Sequence, residues 1–267
     1  MTPIVVPGPV ARVSSLARAE AVLLRRNPIA LLNALLIPAA AAVFLQSVLP
    51  QAAEPGGVVV TSLTALSLLF AVYYNLVTVL VARREELVLK RLRIGECSDA
   101  EVLIGAAAPA VTIAWAQVLI GLVVAMAAFG MGLPVNPVLV VLAVVSGTAV
   151  FVLLAAVSTA MTRTVELAQV STTPVLIVSF AFSGLMFPLE ALPEPAQWAA
   201  QLLPLTQVVN LLQLGLTGDT GVVNRTGVIL GQWSSFGGAL PAVLVLTAWL
   251  AAGVLGWRRF MRWEPRR

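Results

Sequence analysis

The chain has 267 residues, of which 60% are hydrophobic and only 10% charged, whereas soluble domains carry about 25% charged residues. A soluble core cannot bury that much apolar surface, so the composition excludes an ordinary globular protein and predicts an integral membrane protein. The chain has no histidine and one cysteine, Cys97, which excludes an intrachain disulfide and removes the commonest general base. Although the net charge is +4, the basic residues cluster at the ends of apolar runs, so no nucleic-acid partner is expected.

Residues 1–28 are predicted to form a cytosolic tail followed by a helix over residues 10–27. At helical spacing the apolar residues share one side, and Arg18 and Arg25 lie on the other, while Glu20 interrupts the apolar side. An arginine-bearing amphipathic helix just before a span is typical of a segment that lies in the headgroup plane. The alternative is a basic flank that only sets orientation.

Six apolar runs are each about as long as a bilayer crossing requires, and together they define a transmembrane domain over 29–257. None of the six contains Asp, Glu, Lys, Arg or His, which disfavours a carrier driven by a proton gradient. The predicted spans cover residues 29–49, 58–82, 102–133, 138–162, 170–188 and 240–257.

The basic residues alternate between the loops. Fifteen of the sixteen lie before the first span, in the second and fourth loops and in the tail 258–267, whereas the other loops hold only Arg225. The positive-inside rule therefore predicts that both termini are cytosolic. The expected location is the plasma membrane of a bacterium. The arginine, alanine and valine content separately suggests a GC-rich genome.

Residues 83–101 form the most highly charged segment and lie between the second and third spans. If residues 84–93 are helical, Val88, Leu89 and Leu92 form an apolar ridge with charged residues beside it. A short helix of this kind suits docking in a groove of a soluble partner. A solvated loop that only satisfies the positive-inside rule is the alternative.

Residues 189–216 are apolar but are interrupted by prolines, which leaves two pieces too short to cross the membrane. Pro195 opens a predicted short helix containing Trp198, and Pro204 opens another. The pattern predicts a re-entrant or interfacial helical hairpin on the extracellular side.

Three large polar side chains, Asn33, Asn75 and Gln117, lie inside the predicted spans. They can line a substrate path, but hydrogen bonding between helices is the commoner role of such residues. The sequence contains no phosphate-binding loop and no nucleophile–base pair, so the energy for any work must come from another chain.

The charged segment resembles the cytosolic segment of ABC-2 type transporter permeases, whose pattern runs roughly R-E-x-G-x-L-x-R-L and then x-x-T-P-x-S-x-x-E. Leu87 stands in place of the family's glycine, and Gly95-Glu96 in place of its Thr-Pro. The residues that match the pattern are Arg84, Glu85, Leu89, Arg91, Leu92, Ser98 and Glu101.

A second stretch, residues 183–216, is similar to the family's segment after the fifth span, so the resemblance covers nearly the whole chain. The matching residues are Gly184, Phe187, Pro188, Leu192, Pro193, Trp198, Pro204, Leu205 and Thr206.

The resemblance implies an all-α integral membrane protein with six transmembrane helices, an interfacial N-terminal helix, a cytosolic coupling helix and an extracellular hairpin. It implies partnership with two copies of a cytosolic ATPase and with a second permease, either an identical copy or a paralogue. ATP and Mg²⁺ would bind the ATPase, and this chain would carry no cofactor or metal. The residues expected at the ATPase contact are Arg84, Glu85, Leu89, Lys90, Arg91, Leu92, Ser98 and Glu101. Those expected to shape the outer mouth are Pro188, Pro193, Trp198 and Pro204.

The expected function is export of a hydrophobic drug, antibiotic or lipid-like molecule, because the spans offer few hydroxyl-rich or aromatic platforms for a sugar polymer. Export of a polysaccharide or teichoic acid is the alternative within the family. A membrane scaffold that transports nothing is the alternative from another class, and a membrane enzyme is disfavoured by the absence of histidine and of intramembrane acids.

Overall fold

The computed structural model describes residues 8–48, 55–86, 98–186, 189–219 and 229–260. In these ranges the protein is almost entirely helical, contains no β-strand, and has one isolated bridge between Asp219 and Ile229. The helices are α1 (Pro9–Arg26), α2 (Pro28–Val48), α3 (Pro55–Glu85), α4 (Asp99–Phe129), α5 (Pro137–Thr159), α6 (Val165–Ala181), α7 (Glu194–Gln201), α8 (Pro204–Thr217) and α9 (Ser235–Phe260).

Five of these helices, α2, α3, α4, α5 and α9, are long and apolar enough to cross a membrane. The predicted fifth span, 170–188, corresponds to the shorter helix α6, which has 17 residues and starts five residues earlier. Its helical path ends before Gly184, whose φ of 78° is incompatible with a continued right-handed helix. The prediction of a helical, multi-pass membrane protein is confirmed.

Several helix starts follow directly from the sequence. Proline occupies the first turn of α1, α5, α7 and α8, where its missing N–H costs nothing and its fixed φ favours the helix. The side chain of Asn136 accepts hydrogen bonds from the backbone of Val138 and Leu139 and so caps α5. Thr164 caps α6 in the same way through the N–H of Leu167.

The core of the bundle lies where α3, α5 and α8 meet. Tyr73 of α3 is fully buried, stacks edge-on against Phe151 of α5 at 6.3 Å, and shares a 3.0 Å hydrogen bond with Ser158. Gly147 of α5 admits the side chains of both neighbouring helices, because an added Cβ there would lie 2.9 Å from Leu68 and from Val208. Small residues at such crossings are what close packing between membrane helices requires.

The middle of α3, Ser67–Tyr74, winds as a π-helix, which the sequence did not predict. This part is almost completely buried, and its first residue donates a 2.7 Å hydrogen bond from Ser67 Oγ to Gln117 Oε1. π-Helical turns are rare and commonly occur at functional positions.

The outer faces of α4 and α9 are apolar and exposed. Leu119 and Val123 on α4 are each 64% exposed, and Leu244 and Leu255 on α9 are similarly uncovered. Such surfaces are stable against lipid tails and would be unstable against water, which fits the membrane environment that the composition requires.

Candidate functional site

The helix α1 is joined by ion pairs to both helices that flank the charged segment 83–101. Arg12 Nη2 donates to Glu101 Oε1 at 2.8 Å, at the start of α4. Arg83, in the last turn of α3, donates to both carboxylate oxygens of Glu20, at 2.8 Å and 3.1 Å. Because one pair lies on each side of the segment, α1 is connected to both of its ends by charge-assisted hydrogen bonds.

Close packing reinforces the contact between α1 and α4. Gly105 of α4 lies directly against Leu16 of α1, so that an added Cβ would come within 2.7 Å of the Cβ of Leu16. In sequence, Leu16 lies between Arg12 and Glu20, the two ion-paired residues of α1. The two helices therefore approach as closely as their backbones allow, and α1 has little freedom to slide along α4.

Arg84 connects the start of the charged segment to the loop between α5 and α6. Its guanidinium is only 1% exposed and donates to the backbone carbonyls of Thr159, at 2.7 Å, of Thr162, and of Arg163, at 3.3 Å. A helix leaves its last carbonyls without partners inside the helix, and a cation there is favourable. Arg84 thus caps the C-terminus of α5.

Ser98 and Glu101 begin α4 with a capping box. Glu101 Oε2 accepts from the backbone N–H of Ser98 at 2.7 Å, and Ser98 Oγ accepts from the N–H of Glu101 at 3.3 Å. Glu101 therefore holds the end of the segment in two ways, by starting α4 and by binding Arg12.

The structure places the residues expected at the ATPase contact in two groups. Arg84, Ser98 and Glu101 bind other parts of this chain, and Glu85 is exposed at the end of α3. The other four, which would form the ridge and its charged flank, lie outside the described residues: Leu89, Lys90, Arg91 and Leu92. The helix expected over 84–93 likewise lies outside them, except for its first three residues.

The three polar side chains inside the spans have different surroundings. Gln117 accepts from Ser67 and donates to the carbonyl oxygen of Leu35 at 2.9 Å, so its amide joins three helices. Asn33 is half-buried on α2. Asn75 is 5% exposed and lines a cavity toward the C-terminal end of α3.

The two short helices predicted from the prolines are present as α7 and α8, which are bent by 79° to one another; whether the pair is a re-entrant hairpin stays a prediction. Pro193 is the cap position before α7, Trp198 is 64% exposed on it, and Pro204 begins α8, while Pro188 lies outside the described residues. A hydrogen bond from α9 stabilises the bend: Trp249 donates its indole N–H to the carbonyl oxygen of Leu202 at 2.8 Å. α8 is deeply buried against α5 and α9.

The sequence model of the ABC-2 type transporter family matches residues 11–216, which is most of the chain and includes α1, the charged segment and the hairpin. The chain belongs to this family. No curated protein matches it. The protein is accordingly a membrane permease component of an ABC transporter, and not itself a nucleotide-binding enzyme.

In an ABC-2 permease the ATP and Mg²⁺ belong to the partner ATPase, and the permease has no cofactor of its own. Over the ranges that the structure describes, no three His, Cys, Asp or Glu residues come together as a group that could hold a metal ion.

The ion pairs of this ABC-2 permease were missed by reasoning from sequence, although one signal was present. Glu20 interrupts the apolar side of α1, and the structure explains this exception, because that carboxylate meets Arg83 from α3. A charged residue on the wrong side of an amphipathic helix therefore indicated a partner of opposite charge. No comparable signal identified Arg12 as the partner of Glu101.

Proposed function

We propose that this permease exports a hydrophobic drug, antibiotic or lipid-like molecule by alternating access, driven by ATP that a separate cytosolic ATPase hydrolyses. The ATPase docks on the charged segment 83–101. Its residues Leu89 and Leu92 enter a groove of the ATPase, and Lys90 and Arg91 contact the rim of that groove.

The observation that carries the proposal is the attachment of both ends of the charged segment to the rest of the protein. Arg83 and Glu101 bind α1, and Arg84 binds the end of α5. A segment that is held at both ends, to α1 and to the end of α5, can transmit a force from a soluble partner, whereas a loosely tethered loop absorbs it. The attachments are chiefly charge-assisted hydrogen bonds, which are shorter and stronger than neutral ones.

A hydrophobic substrate is supported by the composition of the six predicted spans, none of which contains Asp, Glu, Lys, Arg or His. A sugar polymer needs rows of hydroxyl, amide or aromatic groups to replace its hydration. In the described interior the large amides are few, and Gln117 is already occupied by Ser67 and Leu35.

The working unit that we propose contains two permease copies, identical or paralogous, and two ATPase copies. Both termini lie in the cytosol, as the distribution of arginine supports. The two hairpins, α7 with α8 of each copy, shape the outer mouth of the export path, and Pro188, Pro193, Trp198 and Pro204 contribute to it.

The experiment that tests this function is affinity purification of the tagged permease in mild detergent, with mass spectrometry of the proteins that accompany it. We expect the wild type to recover a nucleotide-binding ATPase, and Leu89→Asp with Leu92→Asp to lose it. The control carries Leu133→Asp with Ile229→Asp, which places two acids on leucine and isoleucine side chains that are 80% and 77% exposed in other loops.

Loss of the ATPase in the segment variant and its retention in the control supports the coupling role. If no ATPase accompanies the wild type while the permease remains intact, the protein is a scaffold and the proposal is wrong. If both double variants retain the ATPase, the docking site lies elsewhere than 83–101.

A further inference from the structure

A cavity of about 320 Å³ opens at the end of the bundle that adjoins the charged segment, between α1, α2, α3 and α4. Its volume is in the range of small-molecule sites. The wall is mainly apolar and is formed by Leu23 of α1, Leu76 and Val79 of α3, and Pro109 and Ala110 of α4.

Asn75 is the polar group that this cavity leaves without a partner. The residue is 5% exposed and lines the cavity, yet its carboxamide makes no hydrogen bond to any residue that the structure describes. Its backbone carbonyl is occupied by Thr78, so the side chain alone is available. The amide faces a cavity that water can enter, and a ligand with a carbonyl, ester or hydroxyl group would take the place of that water as its hydrogen-bond partner.

The mouth of the cavity carries charges of both signs. Arg83 donates to Glu20 and also, at 2.7 Å, to Glu86, so two carboxylates share one guanidinium and leave a surplus negative charge. Arg26, which also lines the cavity, has no ionic partner in the described ranges. A negative and a positive centre thus lie at the same opening, which suits a zwitterionic group.

The distances define the shape of the ligand. Arg83 lies eight positions after Asn75, which is a rise of about 12 Å along α3. Leu76 and Val79 lie along this stretch. A molecule with its ionic head at the mouth therefore reaches Asn75 with a hydrogen-bonding group that lies up to about 12 Å from the head, and the carbon atoms between the two contact Leu76 and Val79.

We propose that this cavity binds a zwitterionic amphiphile of the lysophospholipid type, with its head between Arg26 and Glu86 and its ester or hydroxyl group at Asn75. The inference deepens the proposed function, on which it rests for the ligand's role as lipid-like cargo. The same chemistry can also come from a resident lipid of the cytosolic leaflet, and the experiment separates the two sources.

The test measures saturable binding of radiolabelled lysophosphatidylethanolamine to the full-length permease in a neutral maltoside detergent. We expect Asn75→Leu, which removes the amide, and Ala110→Leu, which fills the cavity, each to lower the affinity at least about tenfold. Asn33→Leu is the control for Asn75, because Asn33 is also an intramembrane asparagine but does not line the cavity.

A second comparison tests the head group. Arg26→Gln should weaken binding of the zwitterion, whereas Arg25→Gln should not, since Arg25 is the neighbouring exposed arginine of α1 and does not line the cavity. Binding of a neutral monoacylglycerol should be weaker than that of the zwitterion and should not respond to Arg26→Gln. Thermal unfolding of each variant identifies a change that acts through misfolding, and Asn75→Leu removes the amide while keeping the same number of side-chain heavy atoms.

Absence of saturable binding, or equal binding by the wild type and both cavity variants, overturns the proposal and assigns the cavity to water. Equal affinity for the neutral amphiphile overturns the assignment of a zwitterion. In the complex with the ATPase, release of bound ligand on ATP hydrolysis identifies cargo, and retention identifies a resident lipid; both support the site. Binding requires no ATPase, so its failure leaves the exporter proposal standing and is distinguishable from failure to recover an ATPase.

Discussion

The carboxylate of Glu20 accepts two hydrogen bonds from Arg83, which fixes the middle of α1 to the last turn of α3. Both side chains are only 16% exposed, so the pair is better shielded from water than an ordinary surface salt bridge. Arg83 also binds Glu86 in the next turn, which orients the guanidinium toward α1. The start of the charged segment and α1 therefore form one unit.

A double-mutant cycle with Glu20→Gln and Arg83→Gln measures this connection. We expect a coupling energy of about 1 kcal/mol in the free energy of unfolding, because each single change breaks the same bidentate pair. Under the proposed function, either variant should also transport less substrate per ATP hydrolysed. In the control cycle, Arg18→Gln replaces Glu20→Gln, and the two changes should be additive because Arg18 is exposed on α1. Additivity in the Glu20 cycle would contradict the ion pair.

Removal of Arg84 should destabilise the protein more than removal of any exposed arginine. Arg84→Ala leaves three backbone carbonyls at the end of α5 without their donor, and we expect a loss of about 3 kcal/mol in the free energy of unfolding. Arg84→Lys should recover part of the loss, because an ammonium cannot reach three carbonyls in the planar arrangement of a guanidinium. The measurement is the free energy of unfolding in detergent, with the loss of helix monitored by circular dichroism.

Arg163→Ala is the matched control for Arg84→Ala. The side chain of Arg163 is exposed, and its backbone carbonyl, which Arg84 binds, remains in the variant. Equal effects of the two alanine substitutions would show that Arg84 acts as a surface charge and not as a cap.

The membrane fold was predictable from sequence because apolar runs of bilayer length leave few alternatives. The proline positions also predicted the break between α7 and α8, since Pro204 can start a helix but cannot continue one. The interior was not predictable. Nothing local distinguishes Ser67–Tyr74 as π-helical, and the partners of Arg84 lie more than 70 residues away in sequence.

The role of individual residues in the charged segment was also only partly predictable. The family pattern identifies Arg84 and Glu101 as important positions, but it does not say whether they contact a partner or their own chain. In the structure both bind their own chain. The distinction depends on the positions of α1 and of the C-terminal end of α5 relative to the charged segment. The spacing of residues within 83–101 does not determine those positions.

Substitution of Gly105 tests how closely α1 packs on α4. Gly105→Ala would place a methyl group 2.7 Å from the Cβ of Leu16, and we expect a loss of about 1 kcal/mol in the free energy of unfolding. Leu16→Ala cannot relieve that contact, because its own Cβ remains, so the double variant should stay less stable than Leu16→Ala alone. Gly237→Ala is the control: this helical glycine of α9 has nothing within 4 Å of the added Cβ, so alanine should be neutral or stabilising. A similar effect at both glycines would contradict the close approach.

The single cysteine provides a direct test of orientation. Cys97 belongs to the charged segment, outside the described residues, and the positive-inside rule puts this segment in the cytosol. A membrane-impermeant maleimide should therefore label the wild type in inverted vesicles and leave it unlabelled in right-side-out vesicles. The matched control is Cys97→Ser with Leu133→Cys, because Leu133 is 80% exposed in the loop between α4 and α5, one span away from Cys97. It should show the opposite pattern, and labelling of both proteins from the same side would contradict the predicted topology and with it the docking of an ATPase on 83–101.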